Sequence, residues 1–213
     1  QRLDSTHILG DVKEMSRLEC AVETLRLALE ALAKETRRAE RPEFWERLWA
    51  LYVESAVDWR LSKKARASRY RQCGQDMQEL LEWVGAKSAA LGELEAIKLL
   101  SRVFEEQFEV VEGKLQPTAK RPPRSVQNPH DPDAHYADNG KKQWVGYKVH
   151  VVESVDQEEL AKKKGEPTES FITEILTTEA AQNEMAGLAE ARNRGEARHE
   201  LTPPAVSAAG GYV

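Results

Sequence analysis

The sequence predicts a chain of mixed helix and sheet, of the α+β or α/β class, in which a partial sheet is interrupted by a large all-helical block. Three observations carry this. The opening QRLDSTHILG is short and strand-like. Residues 11–111 then place apolar side chains three and four apart, the repeat of helices with one buried face. Finally, Val145, Tyr147, Val149 and Val151 alternate with Gly146, Lys148, His150 and Val152, the period-2 pattern of a strand. A strand at each side of the block has to meet in one sheet, so a helical domain set into a sheet is the economical topology. The expected division is a first strand over 1–10, helices over 11–112, a basic Pro-rich connector and turn over 113–143, and further strands and a helix over 144–213.

The elements follow in order. Met15, Leu18, Val22, Leu25, Leu29 and Leu32 form a stripe on one helix face. It covers fewer than three heptads, so it reads as a packed bundle helix before a dimerising coiled coil. Pro42 suits the first position of a second helix carrying Phe44, Trp45, Leu48, Trp49 and Tyr52. A third helix holds Met77, Leu80, Leu81 and Val84 and ends near Gly85. A fourth runs from about Gly92 with Leu94, Ile97, Leu100, Phe104, Phe108 and Val111 on its apolar side. Residues 113–130 hold four prolines, four Lys or Arg and no acid, which predicts a basic connector. Strands are expected at 144–153 and 170–177, the second apolar on both faces as an interior strand would be. A charged loop separates them over Asp156–Glu169. A short helix over 180–194 is expected to turn Met185 and Leu188 inward and to stop at Gly195.

Bulk properties bound the function. The 213 residues suffice for one large domain or two small ones. With 40% apolar and 31% charged residues, a real core coexists with a heavily charged surface. The net charge of −5 excludes a chain coated in basic charge, but leaves room for local basic patches. Cys20 and Cys73 lack metal-ligand spacing and read as reduced, buried thiols. No apolar run approaches the roughly 18 residues of a membrane span, and no signal peptide is visible. The chain opens on Gln1 and leads straight into structured-looking sequence, as expected of a piece of something longer.

Two segments suit contact with a polyanion. Residues 60–71, RLSKKARASRYR, hold six basic residues and no acid: Arg60, Lys63, Lys64, Arg66, Arg69 and Arg71. The connector adds Lys120, Arg121 and Arg124. Near the strand at 144–153, Lys141, Lys142 and Lys148 interleave with Trp144 and Tyr147. That pattern fits phosphate contact with base stacking and equally fits aromatics packed on a sheet beside solvated lysines. Asp131, Asp133 and His135 have a spacing that could offer three metal ligands on one side of an extended segment. Asp-Pro favours a turn, however, and the preferred reading is a polar re-entry into the sheet.

Three stretches, QRLDSTHILG, RLECAVETLRLALEAL and DPDAHYADNGKKQWVGYKVHVVES, resemble the DDE transposases of bacterial insertion sequences, in the branch with a long helical insertion after the first catalytic aspartate. FITEILTT at 171–178 and AGGYV at 209–213 fall in the order of that family's later motifs. The resemblance implies a partial ribonuclease-H-like sheet. It implies two Mg²⁺ (or Mn²⁺) ions held by three carboxylates for in-line phosphoryl transfer. Asp4 matches the first catalytic and metal-binding aspartate, whose plain alternative is a residue capping a turn at a strand end. The second aspartate is expected where Ala209 stands, and the third acid lies beyond the last residue. The chain is therefore expected to be a truncated, catalytically incompetent form that holds metal weakly. Its implied partners are double-stranded DNA of insertion-sequence ends and a second copy of itself, with no membrane, in the bacterial cytoplasm at the nucleoid. The alternative is a non-catalytic helical module for DNA binding or oligomerisation.

Overall fold

The computed structural model describes residues 2–9, 15–55, 60–122, 124–138, 140, 143–154, 171–199 and 207–208. The chain divides into two compact units, Lys13–Pro132 and Gln1–Val12 with Asp133–Val213. Mixed helix and sheet is thus observed, with the helices mainly in the first unit.

In the helical unit, α1 (Arg17–Glu35) starts at a reciprocal cap. Ser16 Oγ accepts from the Glu19 amide at 3.3 Å, and the Ser16 amide donates to Glu19 Oε2 at 2.8 Å. The two bonds satisfy two of the orphan donors of the first turn. Leu18, Ala21, Val22, Leu25, Ala28, Leu29 and Leu32 are all buried, a face too wide for a coiled-coil seam. It packs on α3 (Lys63–Lys87) and α5 (Glu95–Gln107). Between them lie α2 (Trp45–Trp49), which continues as a π-helical turn over Ala50–Glu54, and the single turn α4 (Ala89–Gly92). The Trp45 ring stacks on Trp49 at 6.0 Å and meets Trp83 edge-on at 6.3 Å, and the Arg41 guanidinium lies 4.7 Å from its centroid.

The fourth helix stops earlier than the spacing predicts. It ends at Gln107, and Phe108 enters a hairpin of β2 (Phe108–Val111) and β3 (Lys114–Pro117). Glu112 and Gly113 at the tip have φ of 52° and 73°, the double positive-φ turn that matches strand twist. Phe108 is buried against α3, where Gly74 leaves room for its ring. Helical spacing cannot distinguish these cases, because Phe104 and Phe108 stack at 5.8 Å across the helix end just as they would along a helix.

The predicted connector packs as a strap on the helices. Arg17 donates to the Thr118 carbonyl at 2.8 Å and to the Gln107 carbonyl at 3.0 Å. Glu106 Oε2 accepts from the Val126 amide at 2.8 Å, Arg102 donates to the Arg124 carbonyl at 3.1 Å, and His130 Nε2 lies 2.7 Å from Glu23 Oε1. Ser125, Val126 and Asn128 are buried as a result.

The other unit is built on β5 (Gln143–Ser154). One edge of β5 pairs antiparallel with β1 (Arg2–Leu9). Its other edge is shared end to end by β4 (His135–Asp138) and β6 (Phe171–Glu179), both antiparallel to it. A short β7 (Ser207–Ala208) pairs parallel with β1, giving the order β6-β5-β1-β7. Helix α6 (Glu184–His199) lies between β6 and β7 in the chain and packs on β5 and β6. The Asn183 side chain caps it by accepting from the Met185 amide at 2.8 Å.

Two expectations about this unit fail for the same reason. Leu188 packs half-buried against Val152, Leu176 and Ala191 as expected, but Met185 is 53% exposed, and Gly195 is buried inside α6 rather than ending it. The helix docks through small residues, Gly187, Ala191 and Gly195, each four apart and each buried. They allow close approach to a sheet face that is polar as well as apolar: Lys148, His150 and Val152 on β5, Glu174, Leu176 and Thr178 on β6. β6 is also no interior strand. Among the described residues it pairs with β5 alone, and Phe171, Ile172 and Ile175 are exposed. A bulge between Val152 and Glu153 shifts the register, so Ile172 opposes Glu153 instead of continuing the inward set. The loop Asp156–Glu169 lies outside the described residues.

Candidate nucleic-acid interface

The basic segment at 60–71 forms the first half of α3. Ser62 caps the helix, its hydroxyl accepting from the Ala65 amide at 3.3 Å. Buried positions on α3 begin at Cys73 and Gly74 and continue through Asp76, Met77, Leu80 and Val84. Every residue from Ser62 to Ser68 is exposed. Seven consecutive exposed residues are about two turns, so this part of the helix runs beyond the core with its whole circumference in solvent. Arg60, Lys63, Lys64, Arg66 and Arg71 are exposed there. Arg69 is different: its guanidinium stacks 4.8 Å from the Tyr52 centroid and donates to the Leu51 carbonyl at 3.3 Å. It braces α3 against the π-helical turn.

The strap residues also separate. Lys120 and Arg124 are exposed, and Arg124 holds a φ of 63°, an uncommon conformation for a residue with a side chain. Arg121 turns inward and donates to Gln127 Oε1 at 2.7 Å. Burial, with Arg17 adding to it, lowers its pKa from the ordinary guanidinium value. Beside it, Arg17 lies 5.5 Å from the Tyr70 centroid, and the Tyr70 hydroxyl donates to Gln107 Oε1 at 2.7 Å. Burial pushes Tyr70 up to about 12. Arg69 and Arg121 therefore serve the fold of the helical unit, and charge counting alone could not separate them from their exposed neighbours.

Below the projecting turns, Asp76 is 1% exposed and accepts from Arg47 Nη1 at 2.6 Å, the Tyr52 hydroxyl at 2.5 Å and Gln72 Nε2 at 3.0 Å. Arg47 also reaches Glu79 Oε2 at 2.6 Å. This network fixes α2 against α3 and is saturated by its own members. Both cysteines are free and buried, with burial raising the Cys20 pKa and pushing Cys73 up to about 12. They are protonated core residues.

In the sheet unit, Trp144 is 5% exposed, so it packs on the sheet and is not a stacking platform. Lys148 is buried under α6 and donates to the Gln182 carbonyl at 3.0 Å. That takes it out of reach of a duplex. Lys141 and Lys142 lie outside the described residues. His135 is buried, its Nδ1 2.6 Å from Glu179 Oε2 and off the line of a hydrogen bond, where β4 and β6 meet along β5. The Asp131 amide closes a turn on the Asn128 carbonyl at 3.2 Å, and Asp138 accepts from the Gly140 amide at 2.7 Å. The Gly140 amide and then the Gln143 side-chain amide, which donates to Asp138 Oδ2 at 2.9 Å, hold the Asp138 carboxyl below its usual range. The segment shapes a turn and a strand entry, and no group of three or more metal-ligating side chains occurs among the described residues.

Asp4 sits in β1 opposite Val151 of β5, on the strand parity opposite to Lys148 and His150. On the other side, Leu3 is the parallel partner of Ala208. The residues that immediately precede Asp4 and Ala209 are thus register partners. None of the described helices is long and apolar enough to cross a membrane. Neither models of protein families, nor curated proteins, nor solved structures provide a match to this chain.

Proposed function

We propose that this chain is part of a DDE-type DNA transposase, with a partial ribonuclease-H-like sheet carrying a helical insertion, and that its own measurable property is duplex DNA binding by the helical unit. The carrying observation is the placement of Asp4. It lies on a strand flanked by an antiparallel strand on one side and a parallel strand on the other, with Leu3 in register with Ala208. This register supports the reading that β1 and β7 are the adjacent strands on which a two-metal phosphoryl-transfer site carries its first two carboxylates. The strand order β6-β5-β1-β7, with α6 between β6 and β7 in the chain, supports the same reading.

The residues present do not fit the two-metal centre. One side of the pair is an aspartate and the other an alanine, whose methyl group offers no oxygen to Mg²⁺ or Mn²⁺. No step of phosphoryl transfer is assigned to this chain. The test is Ala209→Asp, with Mn²⁺ titrated by calorimetry. Tighter binding than in the parent chain is expected, and Asp4→Asn in the same background should remove the gain. An Ala209→Asp chain that binds Mn²⁺ no better than its parent would sink the reading.

The second reading, a non-catalytic helical DNA-binding module, is favoured by the projecting half of α3. It predicts duplex binding unchanged by EDTA. The oligomerisation variant draws no support from α1, whose apolar stripe is already buried within the unit.

A further inference from the structure

Resting on the reading that the helical unit binds DNA, we infer that the projecting first half of α3 enters the major groove and reads base edges through Lys64, Ser68, Arg71 and Gln75. These four residues recur at i, i+4, i+7 and i+11, so they line one side of the helix. All four are exposed, and none pairs with a described residue. They span about 16 Å of helix, or about five base pairs of groove. A helix is about 10–12 Å across with its side chains, and the major groove is about 12 Å wide. The run from Ser62 to Ser68 is free on all sides, and Arg71 and Gln75 continue the stripe on the exposed face of the section whose other face is buried at Cys73, Gly74 and Asp76. Small residues at Ala65, Ala67 and Ser68 keep the free run slim.

The side-chain chemistry fits base edges. Lys and Arg donate to guanine O6 and N7, Gln pairs with adenine N6 and N7, and Ser serves either. Lys63, one position off the stripe, is placed for a phosphate at the groove wall. The charge at this end has a second consequence. The first turn of α3 contains Lys63 and Lys64 and no acid, although the helix dipole disfavours cations there. A phosphate docked at that end relieves the repulsion.

α5 and the hairpin expose acids beside their lysines, Lys98 and Lys114, and so favour a polyanion less than the acid-free start of α3. α5 exposes Glu95 and Glu105, and the hairpin exposes Glu109 and Glu112. Further along α3, the same face turns acidic at Glu79 and Glu82, which sets the lower limit of the reading surface.

The test uses the full chain and a fluorescein-labelled duplex selected from a randomised pool, followed by anisotropy in a salt series. Arg71→Ala and Lys64→Ala are expected to lose about 5–150-fold affinity for the selected duplex and to relax the preference at one base pair each. Lys63→Ala should weaken all sequences alike and flatten the salt dependence by about one unit of slope. Lys120→Ala and Arg124→Ala are strap controls that retain the base preference. All these side chains are exposed, and circular dichroism checks that each variant folds. Retained duplex affinity in every α3 variant, or losses confined to the strap variants, overturns the α3 proposal and leaves DNA binding standing. Equal binding of an A-form RNA duplex, whose major groove is too deep and narrow to admit a helix, also overturns groove insertion. A parent chain that binds no duplex at 50 mM salt overturns the DNA-binding reading and this proposal together.

Discussion

Two glycines on α3 allow the packing of the helical unit to be tested with one chemical change. A Cβ built on Gly74 meets the Phe108 ring at 2.5 Å (Cε1), 2.6 Å (Cδ1) and 3.0 Å (Cζ). A Cβ built on Gly85 meets nothing within 4 Å. Alanine raises helix propensity at either site by up to about 1 kcal/mol, less at Gly85 because it lies in the last turn. At Gly74 that gain is opposed by overpacking, about 1–3 kcal/mol. The ring has little freedom to retreat, since Phe108 is 4% exposed and Tyr70 lies 4.8 Å from it, centroid to centroid. Gly85→Ala should therefore stabilise by about 0.5–1 kcal/mol, and Gly74→Ala should destabilise by up to about 2. Urea unfolding followed by the helical circular-dichroism signal and by tryptophan fluorescence measures both. The two midpoints should move in opposite directions at constant m-value. Equal stabilisation by both variants would refute the close seating of the hairpin on α3.

Further outcomes follow from the same contacts. Asp76→Ala leaves the buried Tyr52 hydroxyl without its acceptor and frees half-exposed Arg47, at a cost of about 2–3 kcal/mol in a urea titration. In the sheet unit, a Cβ on Gly187 meets His150 Nε2 at 2.5 Å, while one on Gly195 finds Glu174 Cβ at 3.9 Å. Gly187→Ala should thus lower the thermal midpoint, and Gly195→Ala should hold or raise it. Burial, with Asp76 adding to it, pushes the Cys73 thiol up to about 12, against about 8.5 in an unfolded chain. The folded state keeps the proton longer. Its contribution is complete below about pH 8.5 and is lost as pH rises toward 12, at about 1.4 kcal/mol per pH unit. Urea midpoints measured at pH 8, 9 and 10 should fall less steeply in Cys73→Ala than in the parent.

Periodicity determined much of this protein unaided. The stripe from Leu18 to Leu32, the tryptophan-bearing second helix and the alternation through Val145–Val152 each follow from local repeats, and each element is present. Local repeats also located the basic segment of α3, because a run of Lys and Arg without acids is a property of sequence alone. Tertiary structure decided what each element touches. Arg69 and Arg121 look identical to Lys64 and Arg71 until Tyr52 and Gln127 take them into the fold. Lys148 looks like a solvated strand lysine until α6 covers it. The end of α5 at Gln107 depends on Phe108 finding the space above Gly74, a contact spanning more than 30 positions of chain. The inward face of α6 depends on Gly187, Ala191 and Gly195, which carry almost no hydrophobic signal. Short-range pattern records which side chains are apolar. It does not record how closely two backbones can approach, and that distance selects the small residues here.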